Sequence, residues 1–189
     1  MAGIVIVLLL FAGCGVRIEA GLPEVKLQQA AKLGTATTIG LARVEDSRSS
    51  REAGIINDSA ILRVGPELAD YIERTFHNEL VAHGMTVVEA LNPARNPPTS
   101  HKTIVVTVQS VEFNFGGFGK SDASVNIAVQ VYGSASTESI YGGSFSGTDS
   151  EGVKVLEGAG SESGRVLAAA ADRAIDAAFA DERFEQALK

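Results

Sequence analysis

Ser124-Val-Asn-Ile-Ala-Val-Gln-Val-Tyr132 is the stretch that decides the fold. Its apolar residues take every second position, and small or polar residues take the positions between them; the apolar set is Val125, Ile127, Val129 and Val131. Successive side chains of a β-strand point to opposite faces, so this stretch predicts a strand with one buried face and one face in water. Such strands are typical of antiparallel sheets.

Further strands are predicted on both sides of this one. Residues 103–115 are rich in Val, Ile and Phe and alternate in two registers, and residues 139–147 form a weaker strand among glycines. Residues 37–44 and residues 85–90 are also enriched in β-branched residues, which favour strands. The chain therefore contains strands both before and after its most regular one.

Two helices complete the predicted architecture. Residues 65–84 begin with Gly-Pro, end with His-Gly, and have apolar residues three and four apart, which is typical of a helix with one buried stripe. A second helix begins near Glu162, with Ser161 or Ser163 as its N-cap. Its stripe is mostly Ala, which predicts a close approach of this helix to its support.

The predicted order of elements is β-α-β-β-β-β-α, which is an α+β fold. We expect a mainly antiparallel sheet of four to five strands, with the two helices packed on one face. Residues 37–189 form this single domain, and the tail packs back through Phe184 and Leu188. Residues 45–64 are charged and rich in turn-forming residues, so we expect a loop there.

An apolar run lies at the N-terminus and is too short to cross a membrane. Its nine residues, 4–12, form a helix of about 13 Å, against a hydrocarbon core of about 30 Å. Length, position and the Ala-Gly-Cys that ends at Cys14 indicate a secretory signal peptide over residues 1–13. The alternative is a buried element with an ordinary core cysteine. The first three residues carry no basic side chain, so we expect either an upstream start or an α-amino group that supplies the positive end.

Phe11-Ala12-Gly13-Cys14 resembles the lipobox of bacterial lipoproteins, in which Leu is usual where Phe11 stands. The resemblance implies that the Cys14 thiol receives a diacylglyceryl group, that the signal peptide is removed, and that the freed amine is acylated, for example with palmitate. Residues 14–36 would then be the lipidated cysteine and a tether. Two or more acyl chains hold a protein stably on a bilayer.

Cysteine content and charge exclude several kinds of partner. Cys14 is the only cysteine, so neither an intramolecular disulfide nor a thiolate zinc site is available. The chain has 16 Lys and Arg against 23 Asp and Glu, a formal net charge of −7, so we expect no nucleic-acid partner. Gly119-Lys120-Ser121 looks like the end of a phosphate-binding loop, but Asn114 stands where the leading glycine belongs and a strand follows. We therefore expect no nucleotide and no cofactor.

The reactive residues predict no catalytic site. His77 and His83 are six residues apart, about 120° around a helix, so they share no metal-binding face. His101 lies in a predicted loop. The sequence has no nucleophile elbow or metalloprotease motif, and its sole thiol is committed to lipid. We therefore expect no catalytic residue, no metal site and no enzyme activity.

Two segments are candidates for partner binding. In the charged loop after the first strand, Arg48 and Arg51 could meet an anionic group, and Asp46 lies beside them. The alternative is a solvated loop held by an ion pair between the aspartate and the first arginine. The glycine-rich hairpin that begins at residue 113 carries three rings, which would form an apolar binding tip if exposed. The candidate residues are Asp46, Arg48, Arg51, Phe113, Phe115 and Phe118.

A family resemblance follows from these segments. Ala42-Arg43-Val44-Glu45-Asp46-Ser47-Arg48, the His83-Gly84-Met85 helix end and the Ala-rich last helix resemble the YajG-type bacterial lipoproteins. The resemblance covers nearly the whole mature chain, and Asp-x-Arg is its most specific part. It implies a protein of the Gram-negative envelope without assigned catalytic residues. Gly15, where lipoproteins retained in the inner membrane often have Asp, implies the outer membrane, facing the periplasm.

We therefore expect a lipid-anchored periplasmic lipoprotein that acts as a non-catalytic binding or scaffolding module. It would be attached to the membrane through acyl chains on Cys14 and would bind a protein of the envelope. One alternative is an auxiliary lipoprotein of an ABC-type lipid or envelope-polymer transport system, a class with similar architecture. Another is a weak cell-wall hydrolase that depends on Asp46 or Arg48.

Overall fold

A computed structural model describes residues 16–28, 37–56, 60–96, 100–116, 120–152 and 159–189. Over these residues the chain forms an α+β fold, a mixed sheet of nine strands with three helices. The predictions for the signal peptide, Cys14 and Phe118 fall outside these ranges.

The strands are β1 (Val16–Glu19), β2 (Thr38–Ala42), β3 (Glu45–Asp46), β4 (Glu52–Ile56), β5 (Ala60–Arg63), β6 (Thr86–Ala90), β7 (Thr103–Gly116), β8 (Lys120–Tyr132) and β9 (Ser139–Gly152). The helices are α1 (Glu67–Ala82), α2 (Ala159–Phe179) and α3 (Glu182–Leu188).

β7 runs through the middle of the sheet and is paired along both edges. One edge holds β8 in antiparallel register, and β8 in turn holds β9. The other edge pairs in parallel with β2, β3 and β4, one after another along its length. β6 extends the sheet beside β2, whereas β5 and then β1 extend it beside β4.

The sheet is larger than the sequence predicts. The antiparallel β7–β8–β9 part is confirmed, and the expected first two strands are β2 and β6. The prediction of four to five mainly antiparallel strands is wrong, because the expected loop over residues 45–64 contains β3, β4 and β5 and the expected tether contains β1. These strands have two to five residues each, so they are too short to show a period.

A β-bulge explains why β7 alternates in two registers. It follows Val108, where the pairing with β8 shifts. Before the bulge the side chains in the main core are those of Ile104, Val106 and Val108, and after it they are those of Val111 and Phe113. Val105 is buried as well, but in a separate cluster with Ala42 and Tyr132. One extra residue in a strand moves the inward-facing positions from even to odd numbers. Both halves of β7 therefore face the same core.

α1 confirms the helix that the apolar spacing predicts. Pro66 precedes it with φ −64°, the value that its ring imposes, and Gly84 follows it with φ +79°, a conformation that suits glycine. α1 packs beside α2 and contacts β6. Its buried residues are Leu68, Ala69, Tyr71, Ile72, Phe76 and Leu80.

α2 packs very closely on β9. It begins at Ala159, so Ser161 and Ser163 lie within the helix. The prediction that one of them is the N-cap is therefore wrong. A Cβ placed on Gly147 of β9 would overlap the carbonyl oxygen of Ala170 on α2. The glycine of the strand and the small residues of the helix thus let the two backbones meet, which confirms the close approach that the Ala stripe predicts.

α3 closes one end of the core. Phe184 is fully buried and Leu188 is 2% exposed, as the sequence predicts for the tail. The Phe184 ring lies near those of Phe76, Tyr141 and Phe179, with centroids 5.4 to 6.0 Å apart. These aromatic contacts tie α3 to α1, α2 and β9.

The described part of the expected tether lies against the domain. β1 pairs with β5, and the amide of Gly21 donates to the carbonyl oxygen of Gly160 at 2.9 Å. A Cβ on Gly164 would overlap the carbonyl group of Gly21, so the segment passes directly over α2. Further on, the side chain of Asn78 donates to the carbonyl oxygen of Lys26 at 2.9 Å and accepts from the amide of Gln28 at 2.7 Å.

The contact between β9 and α2 can be tested with two glycines of the same strand. Gly147→Ala should lower the free energy of unfolding by about 2 kcal/mol or more, because the added methyl group overlaps the helix backbone. Gly142 has no atom within 4 Å of an added Cβ, so Gly142→Ala is the matched control. We expect it to change stability by less than about 0.5 kcal/mol. Urea unfolding followed by circular dichroism measures both, and equal effects would contradict the contact.

Candidate functional site

Asp46, the last residue of β3, and Arg48 form a bidentate ion pair. The Asp46 carboxylate accepts from Nε of Arg48 at 2.8 Å and from its Nη2 at 2.6 Å. Nη2 also donates to the carbonyl oxygen of Val64 at 3.0 Å. The Arg48 side chain is only 5% exposed, and that of Asp46 is 24% exposed.

This geometry gives Arg48 a structural role. Its hydrogen bond to Asp46 holds the pKa of that carboxyl below its usual value, so the pair is charged at neutral pH. Bidentate arginine–carboxylate pairs fix orientation as well as adding energy. The ion pair that the sequence offers as the alternative to anion binding is therefore present, and it is far less solvated than expected. Of the three predicted charged residues, Arg51 is the exposed cation that an anion could reach.

The predicted aromatic tip is not formed by the two rings that the structure describes. Phe113 has no exposed surface, because the bulge in β7 turns it into the core. Phe115 is half-buried and packs against the same core. Lys120 and Ser121, taken from the phosphate-loop resemblance, begin strand β8 and do not precede a helix.

A groove of about 540 Å³ lies beside Asp46. One wall is the chain that follows β2, residues 42–47, and the other is the loop that follows β6. Glu45 joins the two walls, since its carboxylate accepts from Nδ2 of Asn92 at 2.9 Å and from Nη2 of Arg95 at 3.0 Å. The groove is therefore part of the folded domain and keeps its shape through these bonds.

The groove has apolar surface beside two exposed arginines. Leu91 is 63% exposed, and the side chains of Arg43 and Arg95 are 82% and 71% exposed. Arginine beside apolar surface is typical of residues that bind another protein. No sequence pattern marks these residues as a binding site, because the two walls lie far apart in the chain. Only the pairing of β2 with β6 brings them together.

The reactive groups do not converge within the described ranges. His77 lies on α1 and is half-buried, whereas the ring of His83 stacks on that of Phe179 with centroids 4.9 Å apart. Among the described residues, no set of three or more His, Cys, Asp and Glu side chains is placed to hold a metal ion. No helix in the same residues has the length and hydropathy needed to cross a membrane.

A partly buried hydrogen bond joins α1 to α2. Oη of Tyr71 donates to the carboxylate of Asp172, with distances of 2.9 and 3.0 Å to its two oxygens. Burial raises the pKa of Asp172, and burial beside this carboxylate also raises the pKa of Tyr71. The pair links the helices and does not open into the groove beside Asp46.

No family model matches the chain, and no curated protein matches it. Solved structures of similar fold are bacterial proteins. The hypothetical protein CT253 from Chlamydia trachomatis is 12% identical, with a TM-score of 0.52 over 82% of this chain and 98% of that chain. Protein XCC0632 from Xanthomonas campestris is 10% identical, with a TM-score of 0.48 over 92% and 87%. A putative lipoprotein from Caulobacter crescentus is 8% identical, with a TM-score of 0.43 over 77% and 91%. The likeness to CT253 shows a shared α+β fold.

The structural role of the Asp46–Arg48 pair predicts a clear change in stability. Asp46→Asn should lower the free energy of unfolding at pH 7 by about 2 kcal/mol, because Arg48 stays buried and loses its charged partner. Asp70→Asn is the matched control, since Asp70 lies 3.7 Å from Arg43 in a pair whose side chains are both more than half exposed. We expect its effect to be below about 0.5 kcal/mol.

Acid should remove this difference. The pKa of Asp46 is lowered in the folded protein, so its stabilising effect is present above the unfolded value of 3.8 and is lost as the pH falls through the folded-state pKa. Urea unfolding at pH 7 and at successively lower pH should show the wild type and Asp46→Asn converging below that value. A difference that is absent at pH 7, or that does not shrink in acid, would contradict the ion pair.

Proposed function

We propose that the protein is a lipid-anchored lipoprotein of the bacterial outer membrane, facing the periplasm, that binds a partner without catalysis. The observation that carries the proposal is the position of the Ala12-Gly13-Cys14 motif, which ends just before β1 begins at Val16. Cleavage before Cys14 would leave every described strand and helix intact. The absence of catalysis is part of the proposal and rests on the inventory of reactive residues in the sequence.

The groove beside Asp46 supports the partner-binding part of the proposal. The side chains of Arg43 and Arg95 stay largely exposed beside their carboxylate partners Asp70 and Glu45, and exposed Leu91 belongs to the same wall as Arg95. We propose that the partner is an envelope protein with an acidic surface next to an apolar residue. Membership of the YajG-type family belongs to the same proposal, since its most specific pattern is the Asp-x-Arg that forms the ion pair.

Lipidation can be tested in cells. The wild-type protein should incorporate labelled palmitate and fractionate with membranes, whereas Cys14→Ser should be unlabelled and released from them, because no acyl chain remains. Gly15→Asp is a control for sorting, and we expect it to stay labelled but to move to the inner-membrane fraction. A Cys14→Ser variant that is as membrane-bound as the wild type would overturn the proposal.

Partner binding can be tested by crosslinking from the groove. A photo-crosslinking amino acid at Leu91 should capture one envelope protein in cells, and Arg43→Glu should lower the yield, because the reversed charge repels an acidic partner while the Glu45–Arg95 bond stays in place. The same crosslinker at Ile140, which is 53% exposed, is the matched control. Capture that is identical from both positions, or insensitive to charge reversal, would contradict a binding groove.

A further inference from the structure

We infer that the end of the sheet that carries Val16 contacts the membrane surface directly, with Val16 and Ile55 against the lipid headgroups. This inference rests on the proposed lipidation of Cys14. It goes further because it specifies how the domain is oriented on the bilayer. The rows of paired residues that contain Val16 and Arg17 define this region, which we call the Val16 end.

Chain length sets the distance from lipid to domain. Only Gly15 separates Cys14 from Val16, and an extended chain spans at most about 3.6 Å per residue, so the two Cα atoms lie within about 7 Å. The polar layer of one leaflet is roughly 5 to 7 Å thick. Since the acyl chains on Cys14 enter the hydrocarbon, Val16 lies within this layer or at its border.

Val16 is fixed to the rest of the domain. In the parallel pairing of β1 with β5 it lies opposite Ala60, and the amide of Ala20, just after β1, donates to the carbonyl oxygen of Arg63 at 2.9 Å. The predicted tether would hold the domain away from the lipid. Because β1 is already part of the sheet at Val16, only the link from Cys14 remains as a spacer.

The Val16 end is nearly level across much of the sheet. One row of paired residues crosses six strands and consists of Arg17, Ile61, Ile55, Asn114, Asp122 and Ser150. Six strands at a spacing of about 4.8 Å give a row about 24 Å wide. β7 ends two residues after Asn114, and β8 begins two residues before Asp122. No described strand therefore projects far beyond Val16.

The surface at this end suits a lipid headgroup layer. Val16 is 64% exposed and Ile55 is 58% exposed, so two large apolar side chains are available for contact. By sequence, the two rows that define this end carry Arg17, Asp122 and Glu151, and Lys120 lies one row further out. These four described positions balance in charge within a chain of −7, so as a set they do not repel anionic lipid.

Ile140 provides a matched position at the opposite end. It is also an exposed isoleucine, and it follows Ser139, which pairs with Tyr132 at the level of Thr103. The strand from Thr103 to Asn114 spans about 36 Å at about 3.3 Å per residue. A domain resting on its Val16 end would hold Ile140 well outside the headgroup layer.

The test uses the full-length protein, exported and acylated in cells. Because acylation blocks Cys14, Ile55→Cys and Ile140→Cys each supply a single reactive thiol for a fluorescent label. The labelled proteins are reconstituted into vesicles of phosphatidylethanolamine and phosphatidylglycerol, with and without a lipid that carries a nitroxide on its headgroup. Mass spectrometry of the N-terminal peptide reports the acylation of Cys14 in the same samples.

We expect the nitroxide to quench the label at position 55 and to leave the label at position 140 unchanged. Acylated protein in which both labels are quenched equally, or in which position 140 is quenched more, would overturn the orientation and leave the lipoprotein assignment standing. Acylated protein in which neither label is quenched would do the same. An unmodified Cys14 would overturn the lipoprotein assignment and this inference with it.

Discussion

Val108 is the residue at which one edge of β7 loses β3 as its partner and the pairing on the other edge, with β8, shifts register, and the rest of the fold depends on that coincidence. On one edge β3 ends opposite it, where the amide and hydroxyl of Ser47 both donate to its carbonyl oxygen at 3.0 and 2.8 Å. On the other edge the bulge in the pairing with β8 follows it. The chain beyond β3 must leave the sheet here and return as β4. The Asp46–Arg48 pair closes this excursion by holding it to the carbonyl group of Val64.

The same change in pairing at Val108 gives a structural role to residues that look functional in the sequence. A buried strand with an extra residue turns its following side chains to the other face, which places Phe113 in the core. The loop that follows β3 leaves the edge of β7 and is held in place by Arg48, whose side chain is almost fully buried. Charged and aromatic residues near turns are easily taken for binding residues. Here both kinds stabilise the interrupted pairing along β7.

What the sequence predicts depends on the length of each element. α1 and the β7–β9 strands have thirteen or more residues each, so their periods are readable. Their ends are less so, since β8 begins at Lys120 and not at Ser124, and β9 continues to Gly152 beyond the predicted residue 147. β3 and β5 have two and four, and they become strands only because β7 and β4 lie beside them. The groove beside Asp46 also depends on distant parts of the chain. Its walls meet through the pairing of β2 with β6, so no local pattern around Arg43 or Leu91 predicts it.

The docked N-terminal segment connects the proposed anchor to the proposed groove. Glu45, which joins the walls of the groove, pairs with Thr107, and seven positions of β7 separate that residue from Asn114 in the row next to Val16. At about 3.3 Å per residue the groove lies about 23 Å along the strands from the Val16 end. A long tether would let the groove sample many heights above the membrane. A domain held at Val16 keeps the groove at one height above the membrane. A partner anchored in the same membrane would have to present its binding surface at that height. This arrangement suits a scaffolding role better than the capture of a freely diffusing ligand.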